Sequence, residues 1–136
     1  MKALLIIITI LIIHANNCFA QNKYPRFIKI TYVNWSIETV FSVSCNYFDN
    51  AFSKGDYKFY QIKKNSDIMI FGNFLQTFLK IKSNGIDVRG KIEYIFHNHR
   101  FKYCFDQFGV FTDGTNYYKN KNLVSTLKQK FKDLFP

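Results

Sequence analysis

The sequence predicts an α+β domain, an antiparallel sheet of about five to seven strands with two helices packed on one face. Three observations lead there. Two runs of alternating apolar and polar residues flank Asn98-His99 like the arms of a hairpin. Apolar residues recur at helical spacing after Ser66 and again after Asn122. The strand-like runs adjoin one another instead of alternating singly with helices, which is the order of hairpins and not of a parallel sheet. The predicted order is ββ-β-α-βββ(β)-α.

Phe27 to Val33 reads as the first strand, with Ile28, Ile30 and Tyr32 on one face. After a turn or bulge at Asn34-Trp35-Ser36, a formal glycosylation sequon, Ile37 to Cys45 alternates again and reads as a second strand. Tyr57 to Lys63 is a third, weaker one. Ser66 is an N-cap candidate with Asp67 in the first turn, and Ile68, Phe71, Phe74, Leu75, Phe78 and Leu79 form the apolar stripe of a helix that Asn84-Gly85 stops. Gly72 in its middle costs about 1 kcal/mol against Ala and suits a close approach. With a two-residue turn at Asn98-His99, Phe96 faces Phe101, Tyr94 faces Tyr103, Ile92 faces Phe105 and Lys91 faces Asp106. Phe108 to Thr112 reads as strand, Asp113-Gly114 as a turn, and Thr115 to Tyr118 as the return. Asn122 caps a last helix with Leu123, Leu127, Phe131 and Leu134 inward.

The start of the chain reads as an address. Lys2 precedes an apolar run from Ala3 to Ile13, and Cys18-Phe19-Ala20 puts small residues at the expected cleavage positions. The run is shorter than the roughly 20 residues a membrane span needs, so no stable membrane insertion is expected after cleavage. Residues 1–20 are therefore expected to be a signal peptide cleaved after Ala20, and 21–136 a single exported domain, secreted or periplasmic. A lipoprotein acylated at Cys18 is the competing reading, but Ala15 and Asn17 stand where Leu and a small residue are usual.

Cleavage leaves Cys45 and Cys104, and in an exported chain one disulfide is the simplest expectation. It closes a loop of about 60 residues, contributing on the order of 4 kcal/mol in the chain-entropy account. The alternation raises a conflict: Cys45 falls on an apolar face and Cys104 on the polar face of its hairpin, so the bridge needs a bulge or a sheet covered on both sides. No metal site is expected, because no CxxC or HxxxH pair exists. No cofactor is expected either, since the glycines read as stops, bulges and turns and not as a phosphate cradle.

The formal charge is +10, with 48% hydrophobic, 19% aromatic and 21% charged residues. Lys119, Lys121, Lys128, Lys130 and Lys132 crowd the C-terminal segment, a patch that attracts an acidic protein, an anionic glycan or a charged surface. Lysine far outnumbers arginine, whereas base-edge readers lean on arginine, so nucleic acid is not expected. Trp35, Tyr57, Tyr60, Tyr117 and Tyr118 are the aromatics the patterns bury least, and Trp35 joins the lysines as a candidate contact. His97, His99 and Asp106 are the weak candidates for general acid–base chemistry, with no nucleophile motif beside them. The expectation is thus a non-catalytic exported binding module, of inhibitor or immunity type or binding an anionic glycan. The alternatives are a small hydrolase using the His/Asp cluster and a carrier with an apolar pocket between sheet and helices. Oligomeric state is not legible.

Overall fold

A computed structural model describes residues 23–132. The expected leader over residues 1–20, with Cys18, and the end of the last apolar stripe at Leu134 lie outside the described residues. The chain runs β1 (Phe27–Val33), β2 (Tyr57–Ile62), α1 (Asn65–Asn73), β3 (Leu79–Ile81), β4 (Gly90–Ile95), β5 (Arg100–Phe105), β6 (Val110–Thr112), β7 (Tyr117–Lys119) and α2 (Lys121–Lys130). All seven strands form one antiparallel sheet in the order β2-β1-β4-β5-β6-β7-β3. It is the α+β architecture that the periodicity predicts.

The front of the sheet carries the main core. Ile28, Ile30 and Tyr32 of β1, Ile92 and Tyr94 of β4, Phe105 and Phe111 pack against Ile68 and Phe71 of α1 and Leu123 and Leu127 of α2. Both helices therefore cover one face. Phe78 stacks on Tyr103 with centroids 4.3 Å apart and meets Phe111 and Tyr118 edge-on. Gly90 sits under the Phe105 ring, which a Cβ there would meet at 2.3 Å. This cluster packs between the sheet and the helices, where the carrier alternative places its apolar pocket.

Several elements differ from expectation for identifiable reasons. Residues 37–45 form no strand: Val43 and Cys45 are buried, but the segment crosses the back of the sheet and bonds to side chains and single amides instead of a neighbouring strand. The first helix ends at Asn73 and its N-cap is Lys64, not Ser66. A 3-10 turn over Phe74–Gln76 follows, and the Phe74 carbonyl accepts from Thr77 Oγ1 and Asn120 Nδ2, both at 3.1 Å. The chain is thereby freed, and Leu79 to Ile81 becomes the edge strand β3. Gly72 does permit a close approach, to the Tyr24 ring rather than to the sheet. The central hairpin keeps its faces but shifts by two residues: Tyr94 faces Phe101, Ile92 faces Tyr103, and Lys91 faces Cys104 instead of Asp106. The two-residue turn is His97-Asn98, closed by Phe96 N–H donating to His99 O at 3.0 Å. An even shift preserves the pleat, so the alternation cannot detect it. The last helix is capped by Asn120, not Asn122, its Oδ1 accepting from Leu123 N–H at 3.0 Å.

The cysteine conflict resolves on the back of the sheet. Cys45 and Cys104 are bonded, 59 residues apart in sequence, inside a second core of Val33, Val43, Phe48 and Val88. One end of the sheet is therefore covered on both sides, and Cys104 lies on a face that is polar only farther along. Phe48, Phe52 and Tyr57 extend this core edge-on, and the Tyr57 hydroxyl donates to Phe48 O at 2.6 Å.

Two stability outcomes follow. The unreduced, denatured protein is expected to show no reactive thiol at Cys45 or Cys104, and reduction is expected to cost on the order of 4 kcal/mol in urea unfolding. The Tyr94 hydroxyl is fully buried without a hydrogen-bond partner among the described residues. Burial pushes its pKa far above the usual phenol value, with the nearby Tyr103 adding to the shift. Tyr94→Phe is expected to stabilise the fold by about 1 kcal/mol by removing that orphaned group, read as a higher urea midpoint at unchanged slope.

Candidate functional site

The antiparallel register brings particular loops to one end of the sheet. β1, β5 and β7 finish there and β4 begins there, because Tyr32 faces Gly90, Gly90 faces Phe105, and Val110 faces Lys119. The segments after Val33, before Gly90 and after Phe105 thus meet, together with the start of α2.

Asp106 organises the centre of this end. It is 6% exposed, and its Oδ1 accepts from Phe108 N–H and Val110 N–H, both at 2.9 Å. Gly109 adopts φ +77° in the same turn, and a Cβ there would strike Val124 of α2 at 2.6 Å. Phe108 is left at the apex of a locked turn, 80% exposed.

Phe108 lines two depressions. The first is a small cleft of about 80 Å³ shared with Trp35, Asp87, Arg89, Asp106 and Gln107. Arg89 is buried, donating from Nη2 to Asp87 Oδ2 at 2.5 Å and to Thr39 Oγ1 at 3.2 Å, and from Nη1 to the Ile37 carbonyl at 2.7 Å. Trp35 is half-buried against Phe105, with centroids 6.5 Å apart. These polar groups are held by one another and by backbone, so the cleft braces its surroundings.

The second depression, about 360 Å³, lies between Phe108, Gly109, Lys119, Asn120, Lys121, Val124, Ser125 and Lys128. Lys121, Ser125 and Lys128 fall at i, i+4 and i+7 of α2, so they share one helix face with the lysines about 10 Å apart along the axis. Asn120 fixes the start of that helix, and its Nδ2 also donates to Thr77 Oγ1 at 2.8 Å. The first turn of α2 has no acidic residue, so the lysines add to the positive end of the helix dipole.

The predicted lysines therefore divide. Lys119, Lys121 and Lys128 line one depression with an exposed aromatic ring. Lys130 pairs with Asp67 of α1 at 2.8 Å, and Lys132 is exposed beyond the helix end. Trp35 and Asp106 share the cleft beside that depression. His97 and His99 are exposed at the opposite end of the sheet, where His99 stacks on Phe96 at 4.5 Å. Seven residues of extended chain separate His99 from Asp106, about 23 Å, so the triplet does not assemble into one constellation. Among the described residues no group of three or more His, Cys, Asp or Glu is placed to hold a metal ion, and no helix is long and apolar enough to cross a membrane.

A third depression, about 500 Å³, opens on the back of the sheet around Lys29, Thr31, Phe59, Gln61, Lys91 and Glu93. Two of its charges are engaged: Lys91 reaches Glu93 at 3.8 Å and Asp49 outside the depression at 2.6 Å, and Glu93 also meets Arg100 at 4.0 Å.

Asp87, Arg89 and Phe108 were not singled out from the sequence. The signals were present: Asp87-Val88-Arg89 places two charges at the mouth of an apolar strand, and Asp106-Gln107-Phe108-Gly109 is an Asp-started turn ending in glycine. No protein-family model, curated protein or solved structure matches the chain.

Burial pushes the Asp106 carboxyl above its usual pKa of 3.8, while the Val110, Phe108 and Gly109 amides pull against it. A raised folded-state value means the neutral acid is the stabilising form. Its contribution is full below 3.8 and is lost as pH rises through the folded value. Asp106→Asn keeps an oxygen acceptor and stays neutral, so its stability relative to the parent is expected to improve as pH is raised from roughly 3 to 6. Asp106→Ala leaves two turn amides unpaired and is expected to lose about 1–3 kcal/mol at either pH. Urea unfolding of the three proteins across that range is the measurement.

Proposed function

We propose that this protein is an exported basic binding module, secreted or periplasmic, of inhibitor or immunity type or binding an anionic glycan, whose negatively charged partner docks around Phe108. The observation that carries this reading is the exposed Phe108 ring held beside Lys119, Lys121 and Lys128. The exposed ring offers apolar area that a partner can bury. A ring on a locked turn loses little freedom when it is covered. Three lysines and the start of a helix bias that cover toward negative charge. Lys130 contributes less, because Asp67 already holds it.

Export is supported by the amino-terminal pattern and by the buried disulfide, which persists in oxidising compartments. The leader supplies the address, and the mature chain is expected to begin at Gln21, checked by intact mass of the exported material.

The docking surface is tested on immobilised heparin, a sulfated glycan, and on immobilised polyglutamate, an acidic polypeptide. Lys119→Glu, Lys121→Glu and Lys128→Glu combined are expected to weaken retention at least tenfold on the resin that mimics the partner. Lys54→Glu, Lys63→Glu and Lys64→Glu combined change the net charge equally and are expected to do much less. Phe108→Ser is expected to weaken retention while leaving its salt dependence unchanged, since screening acts on the lysines and not on the ring. Equal losses from both lysine triplets would sink the local surface and leave only general charge.

A further inference from the structure

We propose that the segment Ile37–Cys45 is an inhibitory loop that presents Phe41 to the substrate pocket of a peptidase selecting large apolar side chains. It deepens the inhibitor side of the function proposed above, but uses a different surface from the lysines.

Three independent observations carry it. The first is exposure. Val40 is 90% exposed and Phe41 83%, adjacent where the chain bends, on a stretch with neither helix nor strand. Two large apolar side chains side by side at a loop apex are the shape of a plug for a concave pocket.

The second is anchoring on both flanks. On the entering side, Arg89 holds the Ile37 carbonyl at 2.7 Å and Thr39 Oγ1 at 3.2 Å, and Ile37 N–H donates to Asn34 O at 3.1 Å. On the leaving side, Val43 N–H donates to Asp87 Oδ1 at 2.8 Å and Val43 O accepts from Val88 N–H at 2.9 Å. Two residues on, Cys45 is bonded to Cys104. Arg89 and Asp87 are themselves paired, and the guanidinium lies over the Phe52 ring at 5.6 Å. A partly buried pair of this kind adds little net stability; here it holds both flanks of the exposed residues Val40, Phe41 and Ser42. A loop held this way binds a cleft without ordering cost, and after cleavage its two ends would stay in place, which separates an inhibitor from a substrate.

The third is charge. The molecule is strongly basic, yet residues 30–53 contain neither Lys nor Arg and carry Glu38 and Asp49. An apolar tip aimed at phospholipid or an anionic polymer would be ringed by cations. The segment carries no cation of its own, and Arg89, which holds its entering flank, is buried and paired with Asp87; such a tip suits the apolar pocket of another protein.

The test uses the full mature chain with chymotrypsin and subtilisin, whose pockets take large apolar side chains, and trypsin as the comparison. Progress curves are expected to show competitive inhibition of at least one of the first two, and none of trypsin. Phe41→Ala, a surface change that spares the core, is expected to weaken inhibition at least thirtyfold. Arg89→Met releases the entering flank: inhibition falls and cleavage at Phe41-Ser42, followed by mass spectrometry, speeds up at least tenfold. Should Arg89→Met fail to fold, Thr39→Val removes one of the same bonds and is expected to shift both readouts in the same direction. The Lys119/Lys121/Lys128→Glu triplet is expected to inhibit like the parent, so a failed lysine surface and a failed loop are told apart. Absence of inhibition of both enzymes overturns the proposal, as does rapid cleavage of the parent at Phe41, inhibition that survives Phe41→Ala, or inhibition that follows the lysines. Self-association of the parent that Phe41→Ala abolishes, without inhibition, overturns it in favour of a second copy as the occupant.

Discussion

The rest of the molecule depends on covering the back of the sheet at one end and not at the other. A seven-stranded antiparallel sheet has two faces, and its two short helices can cover only one. At the end where β1 and β5 finish, the back face carries Val33 and Cys104, which cannot be left in water without cost. The segment between β1 and β2 supplies the cover with Val43, Cys45 and Phe48. That segment has no strand partner to organise it, so its order comes from the disulfide, the Asp87–Arg89 pair and the Phe48, Phe52 and Tyr57 rings. The lower half of the same face stays open and is surfaced by Lys29, Glu93, Lys102 and Gln61 instead. One physical demand thus explains a polar row and a buried cystine on the same strand.

How much of this was legible depends on the range of the interaction that decides each element. β1, β2 and the Asp113-Gly114 turn are written in local alternation and turn chemistry and stand where the pattern places them, and the central hairpin keeps its faces. The two-residue shift of the hairpin was invisible because both registers bury the same side chains. Residues 37–45 misled because burial of every second residue needs only an apolar surface underneath, and here that surface is the back of an existing sheet. The end of α1 was set from outside, by the Asn120 side chain reaching the Phe74 carbonyl across a gap of 46 residues in sequence. Nothing near Phe74 announces that partner.

The candidate surface was half legible for the same reason. The lysines could be counted, but which of them act together depends on α2's phase and on Asp67 of another helix. Lys121 and Lys128 share a face by helical spacing, whereas Lys119 joins them through the strand that precedes the helix, and Lys130 is withdrawn by its ion pair. Phe108 reads as an ordinary strand residue until Asp106 takes its amide and turns the chain outward. The carboxylate that looked like a catalytic group is thereby a turn builder, and what it builds is the exposed ring.

The proposed lysine surface and the proposed loop stand at the same end of the sheet and differ in the range over which they act. Charge on Lys119, Lys121 and Lys128 is felt over about 8 Å at physiological salt, beyond the reach of any side-chain contact. It orients an approaching acidic surface and raises the rate of encounter. The Val40–Phe41 tip acts only on contact, through burial, and so governs how long a complex lasts. The tip's own segment carries no Lys or Arg and Arg89 beside it is paired with Asp87, so the lysines do not compete with it for the same groups on a partner. The cleft around Arg89 lies between them: it holds the loop through Ile37 and Thr39 and shares a wall with Phe108. A change at Arg89 therefore reaches the loop directly and the aromatic turn only through packing, whereas a change at Asp106 does the reverse. That asymmetry follows from which atoms each side chain holds, and it gives the two surfaces separable handles within one small end of the fold.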